Sequence, residues 1–166
     1  EAKGTDVIME VISKLEADPL VNGKFKYIGE RNTKKRETAP RDWLDQLALM
    51  RECDVIIETI KPEYNGRPFG EFGNTAMEAA ALGKIVITNS LNVDLYHREY
   101  GPNLAPWITN DAITLEDNLY NLLLSPKTHN ALFFGKRGAR RWVVDNHSID
   151  ATARRLWDKV FVEVFG

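Results

Sequence analysis

Apolar residues recur along this chain in two rhythms, and the alternation between them lays out the expected elements. Val7, Ile8, Val11, Ile12 and Leu15 fall on one stripe at helical spacing, with Thr5 or Asp6 placed to cap the helix and Asp18-Pro19 to stop it. Phe25-Lys26-Tyr27-Ile28 reads as a short strand closed by Gly29, and residues 31–40 form a polar, basic loop. A second helix over 41–52 carries Trp43, Leu44, Leu47 and Met50 on one face. The run Val55-Ile56-Ile57-Glu58-Thr59-Ile60 is too short for a helix and rich in β-branched residues, the pattern of a strand covered on both faces.

A turn-rich loop over 61–73 holds two prolines and three glycines. It leads to an alanine-rich helix over 75–82, ended by Gly83, and to another apolar strand over 84–88. A weaker strand is expected over 105–109, and Leu115, Leu119, Leu122 and Leu123 mark a helix over 115–124. Pro126 opens a helix reaching about residue 146. Ser148 or Asp150 caps a last one, whose Ile149, Ala153, Leu156, Trp157, Val160 and Val164 share a face. Strands alternating with helices predict an α/β fold: a Rossmann-like parallel sheet with helices on both faces. Such sheets bind ligands at the carboxyl ends of their strands, here the loops after Ile28, Ile60 and Thr88.

Length and composition narrow the picture. The 166 residues fit one domain, able to bury a core without disulfides or metal, and 22 basic against 24 acidic residues give no bulk attraction to nucleic acid. The lone Cys53 has no internal partner and sits where a helix hands over to a strand. It reads as a buried thiol of a reducing compartment, which favours the cytoplasm. No apolar run approaches the ~18 residues of a spanning helix. Glu1-Ala2-Lys3-Gly4 resembles neither a signal peptide nor a natural start, so the chain is expected to begin inside a larger protein or to have been trimmed. The basic clusters Lys34-Lys35-Arg36 and Lys136-Arg137-Gly138-Ala139-Arg140-Arg141 read as solvated faces, with peripheral association to an anionic membrane left open. His97, His129 and His147 lack metal-ligand spacing, so no metal is expected. The four tryptophans read mainly as core or interdomain contacts, with Trp107 the candidate for another role.

The most informative stretch runs from Pro68 to Thr88. A glycine-bearing loop, with Gly70, Phe72 and Gly73, feeds directly into a helix beginning near Asn74 and Thr75, at the expected ligand edge of the sheet. Unpaired amides of a first helical turn, together with the positive end of its dipole, suit a diphosphate. Glu78 lies one turn inside, where a carboxylate can accept from two ribose hydroxyls. Thr75-Ala76-Met77-Glu78 is equally a capping box, and on these residues alone that reading is the better one.

The wider pattern resembles the signature of the group 1 retaining glycosyltransferases of GT-B fold, in which Glu-x-Phe-Gly and four further residues precede Glu-Ala-(small)-Ala-x-Gly-x-Pro-Val. Phe72-Gly73, Glu78-Ala79, Ala81, Gly83 and Val86 fall in place; Gly70 stands where the first glutamate belongs, with Glu71 one position late, and Ile85 replaces the proline. Lys3-Gly4 is similar to the Lys-Gly pair that opens the first helix of the family's donor domain; taken alone, Lys3 is a terminal residue. The resemblance implies one half of a GT-B fold over 1–166, with the domain's first strand and an arginine lying ahead of Glu1. It implies a nucleoside diphosphate sugar as donor, transfer with retention, and no metal or other cofactor. The partner is the protein's own N-terminal acceptor-binding domain. Lys3 and Glu71 would serve catalysis, and Gly70, Phe72, Gly73, Asn74, Thr75, Glu78 and Arg31 would bind the nucleotide sugar. Two rivals remain: a sugar-nucleotide epimerase of the same architecture, and a non-catalytic interaction domain of flavodoxin-like topology.

Overall fold

The computed structural model describes residues 4–29, 42–61, 63–65, 67–68, 73–89, 93–100, 108–109, 113–125, 128–162 and 164. Helices α1 (Thr5–Ala17) and α2 (Trp43–Glu52) precede strand β1 (Val55–Ile57) and the short strands β2 (Glu63–Tyr64) and β3 (Arg67–Pro68). Helix α3 (Asn74–Ala81), strand β4 (Ile85–Thr88), helix α4 (Val93–Tyr100) and strand β5 (Ile108–Thr109) follow. Helices α5 (Leu115–Leu124), α6 (Thr128–His147) and α7 (Ile149–Leu156) come last, and a π-helical stretch, Trp157–Val162, continues the final one. The result is a helix-rich mixed α/β chain.

Its sheet is short and parallel, in the order β1-β4-β5. Val55, Ile56 and Ile57 stand opposite Ile85, Val86 and Ile87, and Ile87 and Thr88 stand opposite Ile108 and Thr109. Because successive strand residues point to opposite faces, the two apolar runs feed two cores. Ile87, Val55 and Ile57 pack with Ile8, Val11, Ile12 and Leu15 of α1 and with Leu115 and Leu119 of α5. Val86 and Ile56 pack with Met50 of α2, the alanines of α3, and Ala139 and Trp142 of α6. The alanines that gave α3 its helical propensity also let it lie close to β4, since Ala76, Ala79 and Ala80 are fully buried.

Several expectations need correction. The cap of α1 is neither Thr5 nor Asp6 but Gly4, in the left-handed region at φ 79°, with no side-chain cap bond. A Cβ there would lie 2.6 Å from Cγ1 of Ile60, so close packing and backbone conformation both select glycine. Residues 25–28 pair with no strand among the described residues, although Phe25 and Tyr27 pack on the α1–α5 core with strand-like alternation. The ladder of β1 stops at Ile57, before Glu58 and Thr59. The loop after it contains the antiparallel β2–β3 pair, with Asn65 at φ 53°. Helix α4 was not foreseen.

Other expectations hold. Asp18 ends α1, and its side chain accepts from the Leu20 amide at 2.8 Å. Gly83 terminates α3 at φ 72°, its amide donating to Ala80. Ser148 caps α7, accepting from the Ala151 amide at 3.2 Å. Cys53 closes α2 half-buried, donating weakly to the Leu49 carbonyl, and burial raises its pKa. The apolar residues expected on the last helix do lie in helix, but Ile149, Leu156, Trp157, Val160 and Val164 are all exposed, and the winding is π-helical over Trp157–Val162. No helix among the described residues is long and apolar enough to cross a membrane.

Candidate functional site

At the carboxyl edge of the sheet both apolar runs turn polar at the same level. Ile57 stands opposite Ile87, so Glu58-Thr59 emerges beside Thr88-Asn89, and all four residues are buried. The Glu58 amide keeps the ladder one step longer by donating to Ile87 at 3.0 Å. Asn89 donates from Nδ2 to the Lys61 carbonyl at 3.2 Å, tying the loop after β1 to the end of β4. The Thr88 hydroxyl, wholly buried, has no hydrogen-bond partner among the described residues. Buried polar atoms carry a desolvation cost, so a polar floor at this edge is consistent with a site rather than with plain packing.

Onto this floor the head of α3 is fixed by a carboxylate. Glu58, only 6% exposed, accepts from the Gly73 amide through Oε2 at 3.0 Å. Gly73 is the N-cap, and its carbonyl receives the amides of Ala76 and Met77 at 3.1 and 3.3 Å. Among the described residues the amides of Asn74 and Thr75 have no acceptor, so they are the two donors the helix head still offers. Glu58 already uses the first donor, and its negative charge must be accommodated by any anion arriving at the same helix end.

Glu78 takes no part in capping α3, whose N-cap is Gly73. Helix α3 has no side-chain cap bond, so the Thr75–Glu78 capping box is not made. Instead Oε1 of Glu78 accepts from the indole Nε1 of Trp43 at 2.8 Å, joining α3 to the first residue of α2. Trp43 is 58% exposed, so this bond lies at the surface and leaves the second carboxylate oxygen for another donor.

On the far side of β1, Lys61 pairs with Asp6 at 3.0 Å. The hydrogen bond from that ammonium holds the Asp6 carboxyl below its usual range. The pair pins the start of α1 to the strand end.

Of the residues expected to bind the donor, Gly73, Asn74, Thr75 and Glu78 lie together on one loop-to-helix turn at the carboxyl edge of the sheet. Lys3, Arg31, Gly70, Glu71 and Phe72 lie outside the described residues, as do Trp107 and the Lys34-Lys35-Arg36 cluster. In the second basic cluster, Arg140 donates to the carbonyl of Ala81 at 2.6 Å and Arg141 pairs with Asp145, both structural uses of charge. Among the described residues no group of three or more His, Cys, Asp or Glu is placed to hold a metal ion.

Sequence reasoning missed Glu58, Trp43 as the partner of Glu78, and Thr88. The signal for Glu58 was present: an acid inside an otherwise apolar run, at the end of a strand expected to be buried on both faces, requires a partner. The chain matches no protein-family profile, no curated protein and no solved structure.

Proposed function

We propose that this chain is the donor-binding half of a two-domain glycosyltransferase, a Rossmann-like domain of GT-B type that holds a nucleoside diphosphate sugar for transfer with retention. One observation carries the reading: at the carboxyl edge of a parallel sheet, a glycine turn opens α3 with two amides that have no acceptor among the described residues. That arrangement suits a diphosphate through N–H donors and the helix dipole. Glu78, one turn in with a carboxylate oxygen to spare, is placed to accept from ribose hydroxyls.

In this reading the protein works by positioning and by stabilising the leaving diphosphate. Asn74 and Thr75 supply neutral donors, while Glu58 orients the turn and Trp43 orients Glu78. The resemblance assigns Lys3 the positive charge toward the diphosphate and Glu71 a part in catalysis. Arg31, Gly70 and Phe72 complete the donor pocket, and the acceptor is supplied by a separate N-terminal domain. The protein would act in the cytoplasm, with its basic faces available to a membrane surface.

A thermal-shift screen of UDP, GDP, ADP and their sugars tests this. A ligand at ten times its Kd stabilises by about 1.4 kcal/mol, which for a chain of this size raises Tm by roughly 3–6 °C. The shift is expected for one base, to be lost in Glu78→Ala, and to survive in Trp43→Phe, which frees the carboxylate without removing it. Indifference to every nucleotide sinks the assignment and favours the non-catalytic interaction domain.

A further inference from the structure

The last helical segment is held to the domain by its polar side and leaves its apolar side in water. Between Ile149 and Val162 only Ala151 and Arg155 are less than exposed, and they lie four positions apart, on one inward row of α7. Arg155 donates to the Asn146 carbonyl and stands 5.1 Å from the centre of the Tyr100 ring. One turn further, Lys159 pairs with Glu99 of α4 at 2.8 Å. Away from that row Ile149, Ala153, Leu156 and Trp157 recur at helical spacing, all exposed. In the π-helical stretch Phe161 stacks on Trp157 with ring centres 5.0 Å apart, and Val160 is exposed as well.

A helix on a finished surface normally turns its apolar side inward. This one does the reverse, and the area involved is that of an interface. The exposed fractions of Ile149, Leu156, Trp157, Val160 and Phe161, at roughly 150–200 Å² for a whole large apolar residue, leave about 400–600 Å² of apolar surface in water. An interface between copies of one chain takes about 800 Å² from each partner, about 65% of it apolar, which is roughly 500 Å².

The neighbouring charges select the partner. Asp150, Arg154 and Asp158 follow one another at intervals of four, all exposed, and none has a partner among the described residues. Two acids to one base disfavour an anionic membrane, whereas a two-fold axis sets a patch carrying both signs against itself. With the axis at Leu156, near the middle of residues 149–162, two antiparallel segments overlap along their whole length. Arg154 of each copy then comes opposite Asp158 of the other.

We propose that this chain forms a two-fold dimer through residues 149–162, the two segments antiparallel across Leu156. Trp157 and Phe161 are the aromatic anchors, and reciprocal Arg154–Asp158 pairs lie at the rim. Dimerisation is independent of whether the chain binds a nucleotide sugar.

Sedimentation velocity on the chain from roughly 1 to 100 μM tests this, because interfaces of standard size have Kd values of micromolar or tighter. The chain is expected to pass from monomer to dimer within or below that range. Leu156→Glu and Val160→Glu, both at exposed positions, leave the far-ultraviolet circular dichroism unchanged and weaken dimerisation by about a hundredfold or more. Arg154→Asp weakens it by about tenfold, and adding Asp158→Arg to the same chain restores it. In a Cys53→Ser background Leu156→Cys forms an intermolecular disulfide on mild oxidation, whereas Ser13→Cys, exposed on α1, does not. A chain that stays monomeric throughout overturns the proposal, leaving the face to the acceptor-binding half or, if it binds anionic vesicles, to a membrane. A dimer that survives Leu156→Glu, or that the Arg154–Asp158 exchange fails to restore, overturns it equally.

Discussion

Replacing Gly73 by alanine tests the contact that fixes the head of α3. The backbone at Gly73, φ −95° and ψ −174°, is open to any residue, so the substitution brings no backbone strain. Its added methyl, however, would sit 2.6 Å from Oε1 of Glu58. That oxygen ends a flexible side chain and can move, so steric repulsion alone is a small term. Moving it breaks the 3.0 Å bond to the Gly73 amide, and because Glu58 is 6% exposed the carboxylate finds little water in exchange. A hydrogen bond to a charged group contributes about 1.5–3 kcal/mol, and alanine returns about 0.4–1 kcal/mol by restricting the unfolded chain. The net destabilisation is then about 1.5 kcal/mol, a fall in Tm of roughly 3–6 °C. Thermal unfolding followed by circular dichroism measures it. The decisive comparison is a double-mutant cycle with Glu58→Ala. Without the carboxylate, Gly73→Ala is expected to be neutral or stabilising, leaving a coupling of more than about 1 kcal/mol. An equal cost in both backgrounds, or a neutral effect in the wild type, would refute the role given to Glu58.

Other perturbations test the surrounding frame. Arg140→Ala removes the guanidinium from the last carbonyls of α3 and is expected to cost about 1 kcal/mol in urea unfolding, with Arg140→Lys recovering part of it. Ser148→Ala removes the cap of α7 and is expected to cost about 1 kcal/mol by the same measurement. His147 packs among Tyr100 and Trp142, and its Nε2 is buried with no hydrogen-bond partner among the described residues. Burial first, and Arg155 second, lower its pKa below 6.5. The unfolded chain therefore binds more protons than the folded one near that pH, so stability is full above it and declines as pH falls through 6.5 toward the folded value. His147→Phe is expected to flatten that decline while costing little at neutral pH; an unchanged pH profile of Tm would remove His147 as its source.

Much of the fold is legible because short-range pattern and tertiary need agree. The alanine run of α3, the leucines of α5 and the β-branched runs of β1 and β4 each satisfy one period only, and burial uses the same residues that set the period. Where the two separate, the sequence misleads. Phe25-Lys26-Tyr27-Ile28 alternates as a strand does, yet a strand needs a neighbour on at least one edge, and among the described residues it has none. Val93–Tyr100 has few aliphatic residues and is dominated by charged and aromatic ones, so its low hydropathy hides the helix. Ile149, Leu156, Trp157, Val160 and Val164 recur at α-helical spacing, but the winding becomes π-helical from Trp157, and all five are exposed together with Phe161 and Val162.

The candidate site was legible in proportion to how local its geometry is. Gly73, Asn74 and Thr75 could be placed because a glycine turn into a helix is written in consecutive residues. Glu58 could not be linked to them, since its bond to Gly73 spans fifteen positions and depends on how two strands are registered. A shift of one residue between β1 and β4 would turn the Glu58 side chain to the other face and break the match of Glu58-Thr59 with Thr88-Asn89. Glu78 shows the same limit in reverse: its local partner, Thr75, was the obvious one, yet an indole thirty-five positions earlier takes its place. Counted from the Gly73 cap, Glu78 is the fifth residue of α3, two places past the one from which an acid reaches back to the N-cap amide, and the donor it meets there is the Trp43 N–H. Polar residues that interrupt apolar runs are thus the strongest sequence pointers to this edge of the sheet, and each becomes specific only once pairing tells which interruptions meet.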